Sequence, residues 1–166
     1  GKLFGFEHYS VIPDILITGK GLGGGMPIGA FISSYKNMSL LKEHPKLGHI
    51  TTFGGHPVIS AAALATLEEI TRSEIMNEID EKEALFRKIL VHKEILEIRG
   101  KGLMLALILK DKETADHLIL EAINTGLLLF WLLFEPKAVR ITPPLTISKE
   151  EIKRGCAIIL DILDSL

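Results

Sequence analysis

Cysteine is nearly missing: Cys156 is the one thiol in 166 residues. That excludes an internal disulfide and suits a reducing compartment, so a cytoplasmic setting is expected and Cys156 reads as a small core residue on a helix. An excess of one charge is missing too. Lys and Arg number 19 against 21 Asp and Glu, a net charge of -2, without the basic surface that nucleic-acid binding requires. The apolar run Leu127–Phe134 is too short to span a bilayer as a helix and reads as a buried strand, so no membrane partner is expected. No signal peptide is visible at the start, and neither an internal repeat nor a low-complexity tract interrupts the chain. His44, His49 and His56 fall close together, but their spacing fits no helical or zinc-ribbon pattern and no cysteine pair accompanies them, so no metal is expected. What is there is a 47% apolar and 24% charged chain, long enough to bury roughly 70% of its unfolded surface.

Residues 1–55 carry glycines and short apolar runs, which predict strands and loops. Ile15-Leu16-Ile17 reads as a short buried strand and Ile28–Ile32 as another. Pro57 suits a first helical turn, and the alanine-rich helix predicted from Val58 to about Ile70 should lie deeply buried or at an interface. A second helix is expected over 74–91, with Ile75, Ile79, Phe86 and Ile89 on its apolar face and the charges of Asn77–Lys88 in solvent. Leu103–Leu109 has strand length. Lys112–Thr125 predicts a helix with Ala115, Leu118, Ile119 and Ala122 on one side and Gly126 as its stop. Strands are expected at about 127–134, with Trp131 in the core, and at 138–141. Ser148 and Glu151 form a capping-box pattern ahead of a last helix whose stripe is Ile152, Cys156, Ile159 and Leu163.

The segment Thr18-Gly19-Lys20-Gly21-Leu22-Gly23-Gly24-Gly25-Met26-Pro27 carries the chemistry. A lysine ammonium is costly to remove from water, and glycines beside it strip away side chains and let a ligand approach the backbone. An amine meant to attack a carbonyl carbon needs such a setting. Two other readings stand beside this one. Glycine-rich loops with a lysine are commonly surface turns. Gly19, Gly21 and Gly24 also satisfy G-x-G-x-x-G, although Pro27 and a second strand follow where a nucleotide-binding loop would open a helix.

The stretches 1–16 and 18–30, together with Thr51-Thr52-Phe53-Gly54-Gly55-His56-Pro57 and Arg140-Ile141-Thr142-Pro143-Pro144-Leu145, closely resemble class III aminotransferases of the acetylornithine/ornithine type. The resemblance runs from the first residue to the last and corresponds to the C-terminal part of such an enzyme, so a fragment or truncated product is expected. It implies an α/β, fold type I pyridoxal-phosphate transferase: the tail of the large cofactor domain over 1–71 and a small α/β domain over 72–166. It implies pyridoxal 5'-phosphate as cofactor, a homodimer, and transfer of an amino group from an acetylornithine-, ornithine- or 4-aminobutyrate-like donor to 2-oxoglutarate. Lys20 matches the Schiff-base lysine. Thr52, with Thr51 as the adjacent alternative, matches the threonine that reaches a partner subunit's cofactor phosphate. Arg140 matches the active-site arginine that handles the two substrates, against the alternative of a structural salt bridge. His56 departs from the family's usual Asn before the proline. An aminomutase or a decarboxylase shares the fold, and a chain without the N-terminal half of the cofactor site would be inert alone.

Overall fold

The computed structural model describes residues 1–72 and 74–166. It falls into two compact units, one beginning at Lys2 and ending before Glu74, the other running from Glu74 to Leu166. Both sheets and helices are present, the mixed α/β class expected from the sequence.

In the first unit, β1 (Ile15–Gly19) pairs antiparallel with β2 (Gly29–Ser33), in a register that sets Gly19 opposite Gly29. Both strands were expected; the burial was not. Ile15 and Ile17 are 52% and 79% exposed, because a two-stranded ribbon has no second layer within its unit to cover it. After the short α1 (Tyr35–Met38), the chain reaches α2 (Pro57–Arg72), with Pro57 in the first turn as its fixed φ predicts. The deep burial expected of this helix is not seen: of its alanines, only Ala63 is buried. Small side chains here serve a close approach instead, described below.

The second unit holds a four-stranded antiparallel sheet in the order β3 (Ile95–Lys101), β4 (Met104–Leu109), β6 (Glu135–Ile141), β5 (Phe130–Leu132). Three helices complete the unit: α3 (Ile79–Ile89), α4 (Lys112–Asn124) and α5 (Lys149–Asp164). Leu105, Leu107, Val139 and Ile141 alternate along β4 and β6 toward a core shared with Phe86, Leu118, Ile119, Ile152, Ile159 and Leu163. All four predicted α4 stripe residues, Ala115, Leu118, Ile119 and Ala122, are fully buried. The last helix also keeps its predicted stripe, Cys156 included. Its start is the expected capping box: Ser148 Oγ accepts from the Glu151 N–H at 3.1 Å, and the Ser148 N–H donates to Glu151 Oε2 at 2.8 Å.

Four sequence expectations need correction. The predicted 74–91 helix is a 3₁₀ turn (Glu74–Glu78) followed by α3. β3 was not foreseen; it pairs with β4 as a hairpin in which Gly100 and Gly102 sit at φ 109° and 58°. The run 127–134 is a strand for three residues only, and Leu128, Leu133 and Phe134 are 84%, 86% and 93% exposed as the chain turns toward β6. Trp131 belongs to that exposed edge rather than the core, and its indole N–H donates to Asp116 Oδ1 at 2.8 Å.

Candidate active site

Lys20 opens a 3₁₀ turn (Lys20–Gly23) directly after β1. Its φ is 45°, in the left-handed region where a residue with a side chain is strained. Gly19, with φ near 180°, is simply extended. At the far end of the turn, Gly24 takes φ 57°, and its N–H donates to the Gly21 carbonyl at 3.2 Å. A Cβ on Gly24 would lie 2.3 Å from Thr66 Oγ1 and 3.7 Å from the Ala62 carbonyl, so the loop rests directly on α2. The Thr66 hydroxyl in turn donates to the Ala62 carbonyl at 2.9 Å. By contrast, a Cβ on Gly21 or Gly25 would meet nothing within 4 Å, so space lies open over the lysine turn.

Lys20 was expected in an enclosed apolar setting, yet it is exposed. Its flanking glycines supply no side chain that could form a wall, and β1 and β2 are themselves uncovered. The pieces that do fit a planar aldehyde cofactor are a lysine at the head of a glycine-rich turn and open space beside Gly21 and Gly25.

Thr51 and Thr52 are exposed in a turn closed by the Gly54 N–H donating to the Thr51 carbonyl at 3.2 Å. Thr51 Oγ1 lies 2.7 Å from where a Gly54 Cβ would stand, so this hydroxyl folds back over its own turn. The next turn, His56 N–H to the Phe53 carbonyl at 3.2 Å, leads into α2, whose first backbone bond runs from the Ser60 N–H to the His56 carbonyl at 2.9 Å. Thr51 and Thr52 lie in the chain segment that leads through two turns into the 16-residue helix α2. Helix α2 is thus a shared scaffold: its start carries the threonine turn, and its middle supports the lysine loop.

Arg140 belongs to the second unit. It lies in β6, paired with Ala106 of β4 on one side and Phe130 of β5 on the other. Its guanidinium carbon stands 4.8 Å from the centre of the Phe130 ring. Ion pairs made by arginine among the described residues belong to Arg72, Arg87 and Arg99. Arg140 and Phe130 also border a cavity of about 230 Å³, whose other walls are mostly apolar, among them Leu127, Ile147, Ile152 and Ile159.

Two residues escaped the sequence reading. Phe130 is one; only the strand register sets it beside Arg140. Lys82 is the other. It was expected on the solvated face of its helix, but it is 4% exposed. Its ammonium donates to the Leu145 carbonyl at 2.9 Å and pairs with Glu78 Oε2 at 2.9 Å. The Lys82 hydrogen bond holds the Glu78 carboxyl below its ordinary range. The signal was legible in principle, because Lys82 falls three residues after Ile79 and four before Phe86, on the apolar stripe. Among the described residues, no cluster of His, Cys, Asp and Glu could hold a metal ion, and no helix is long and apolar enough to cross a membrane.

A sequence model of the family described as "Aminotransferase class-III" matches residues 1–163. The acetylornithine aminotransferase of Caldanaerobacter subterraneus subsp. tengcongensis is 40% identical, over 100% of this chain and 42% of that protein. The putrescine aminotransferase of Pectobacterium atrosepticum is 38% identical, over 100% of this chain and 37% of its own length. Among solved structures, the acetylornithine aminotransferase from Elizabethkingia anophelis superposes with a TM-score of 0.85 at 33% identity, covering 99% of this chain and 42% of that one. The chain therefore spans about two fifths of the length of the curated relatives it matches.

Proposed function

Because the chain belongs to the class III aminotransferase family, we propose that it carries the lysine-bearing part of a pyridoxal-phosphate enzyme. That enzyme would move an amino group from an ω-amino donor, of acetylornithine, ornithine or 4-aminobutyrate type, to 2-oxoglutarate. One observation carries the reading: an exposed lysine amine at φ 45° heads a glycine turn that is seated on α2 and open above.

Pyridoxal phosphate, when bound, supplies the electron sink that lets an amino-bearing carbon release a proton. The chain's own residues would do the rest. Lys20 Nζ would hold the cofactor at its aldehyde carbon and, as a neutral amine, would take and return the substrate proton. Arginine cannot serve there, since it stays protonated. Thr52, with Thr51 beside it, holds phosphate oxygens, and in a homodimer that phosphate would be the partner's. Arg140 binds a substrate carboxylate through parallel hydrogen bonds. The setting would be cytoplasmic.

The exposure of Lys20, Thr51 and Thr52 also favours a second reading, in which the 166-residue chain alone is inert and the remaining walls of the site come from sequence outside it. One experiment separates the two. Pyridoxal phosphate is added, the protein is reduced with borohydride, and the labelled peptide is located by mass spectrometry, in the intact protein and in the 166-residue chain. Label on Lys20 in both supports a competent chain. Label on Lys20 in the intact protein alone supports the inert reading. A Lys20 peptide without label in the intact protein refutes the proposed role.

A further inference from the structure

Phe130 stands where a residue that prepares Arg140 for its ligand would stand. The two are cross-strand partners on β5 and β6, and the guanidinium carbon lies 4.8 Å from the ring centre, within the range of a cation–π contact. A guanidinium donates its hydrogen bonds in its own plane. A ring packed against the guanidinium carbon holds the group without offering its N–H groups a competing carboxylate or carbonyl oxygen. On the opposite side the partner is Ala106, whose methyl group offers Arg140 no competing acceptor. The platform is itself braced. Trp131 meets the Phe130 ring edge-on, at 6.0 Å between centroids and 75° between planes. Its indole N–H is tied to Asp116 on α4, and the Asp116 carboxyl is held below its ordinary range by hydrogen bonds from Lys112 and then Trp131. A three-residue strand is thus pinned to α4 through Trp131 while its Phe130 ring lies against Arg140.

We infer that Phe130 is a positioning residue for Arg140, holding the guanidinium in the one rotamer that presents its paired N–H groups to the carboxylate of an oxo-acid or amino-acid substrate. The inference rests on the reading of Arg140 as the carboxylate-binding residue. Without the ring, the arginine would sample other rotamers and would have to be ordered by each incoming substrate, which weakens binding by the population lost.

The test compares Phe130→Leu, Phe130→Tyr, Arg140→Ala and the Phe130→Leu/Arg140→Ala pair in the intact protein, with 2-oxoglutarate as the probe. Phe130→Leu should raise KM for 2-oxoglutarate about two- to fivefold, the factor that corresponds to an exposed cation–π contact. The change should sit in KM rather than kcat. Phe130→Tyr keeps the π face and should restore the original KM. In the Arg140→Ala background, where KM rises tenfold or more, Phe130→Leu should add nothing further. Independently of activity, the Arg140 side-chain protons should show an aromatic ring-current shift by NMR that disappears in Phe130→Leu. If Arg140→Ala leaves KM unchanged, the carboxylate reading fails and the inference with it. If Arg140→Ala acts but Phe130→Leu and Phe130→Tyr behave alike, or the ring-current shift is absent, the positioning role alone is overturned.

Discussion

Lys20 holds its amine on a backbone that suits glycine better than lysine. A non-glycine residue in the left-handed region gives up roughly 1–2 kcal/mol, and φ is 45° here. Lys20→Ala should keep that strain, whereas Lys20→Gly should release it. Both variants should lose turnover, but the amides of β1 and β2 should exchange more slowly with deuterium in Lys20→Gly than in Lys20→Ala. Equal exchange in the two would show that the angle costs nothing. Cys156 makes a different residue-scale prediction. Burial pushes its thiol up to about 12, above an unfolded value of about 8.5. Below the unfolded value both states keep the proton and nothing is lost. As the pH rises from there toward the folded value, the unfolded chain ionises first and stability falls. Urea midpoints measured at pH 8 and pH 10.5 should drop more in the natural protein than in Cys156→Ala; parallel drops would place the thiol within reach of water.

Between elements, Lys82 is the notable tie. It joins α3 to the loop between β6 and α5 through the Leu145 carbonyl. That loop includes Pro143 and Pro144, which have no N–H to offer, and its described backbone bond is Ile147 N–H to the Pro144 carbonyl at 3.0 Å. Lys82→Met keeps the apolar stem but removes the donor to a half-buried carbonyl, a loss of about 1 kcal/mol readable as a lower urea midpoint. An unchanged midpoint would mean that water replaces the ammonium. Lys82 also shows what the sequence conceals. The α4 stripe and the Ser148–Glu151 cap were readable because local periodicity and local hydrogen bonding determine both. β3 was not, because Glu97 and a bulge between Ile95 and Glu97 break its alternation. The run 127–134 misled for the opposite reason: eight apolar residues resemble a buried strand, but most of them form a turn and an edge. In the candidate site, Thr52 and Arg140 were singled out by family resemblance, whereas Lys20 was singled out first by its glycine setting. Their exposure was not legible, because enclosure depends on walls that a local motif does not specify. Phe130 was invisible until strand register placed it opposite Arg140.

For the molecule as a whole, apolar burial is unevenly shared. Every member of the main core lies between Ile79 and Leu163, while among the described residues of the first unit only Gly23 and Ala63 are buried. Residues 74–166 expressed alone should therefore unfold in one sigmoidal urea transition with a near-ultraviolet signal from Trp131, and residues 1–72 alone should show neither. Failure of the 74–166 piece to fold would place essential stabilisation outside its own core. The first unit thus has little bulk with which to absorb an error, which lends weight to the seat of its glycine turn on α2. There, the spacer between Gly24 and Thr66 is a hydrogen atom. Added volume on either partner would act as a shim, lifting the turn and moving the reactive nitrogen without touching it. Substitution at position 66, far from Lys20 in the sequence, should therefore shift the turn that Lys20 heads.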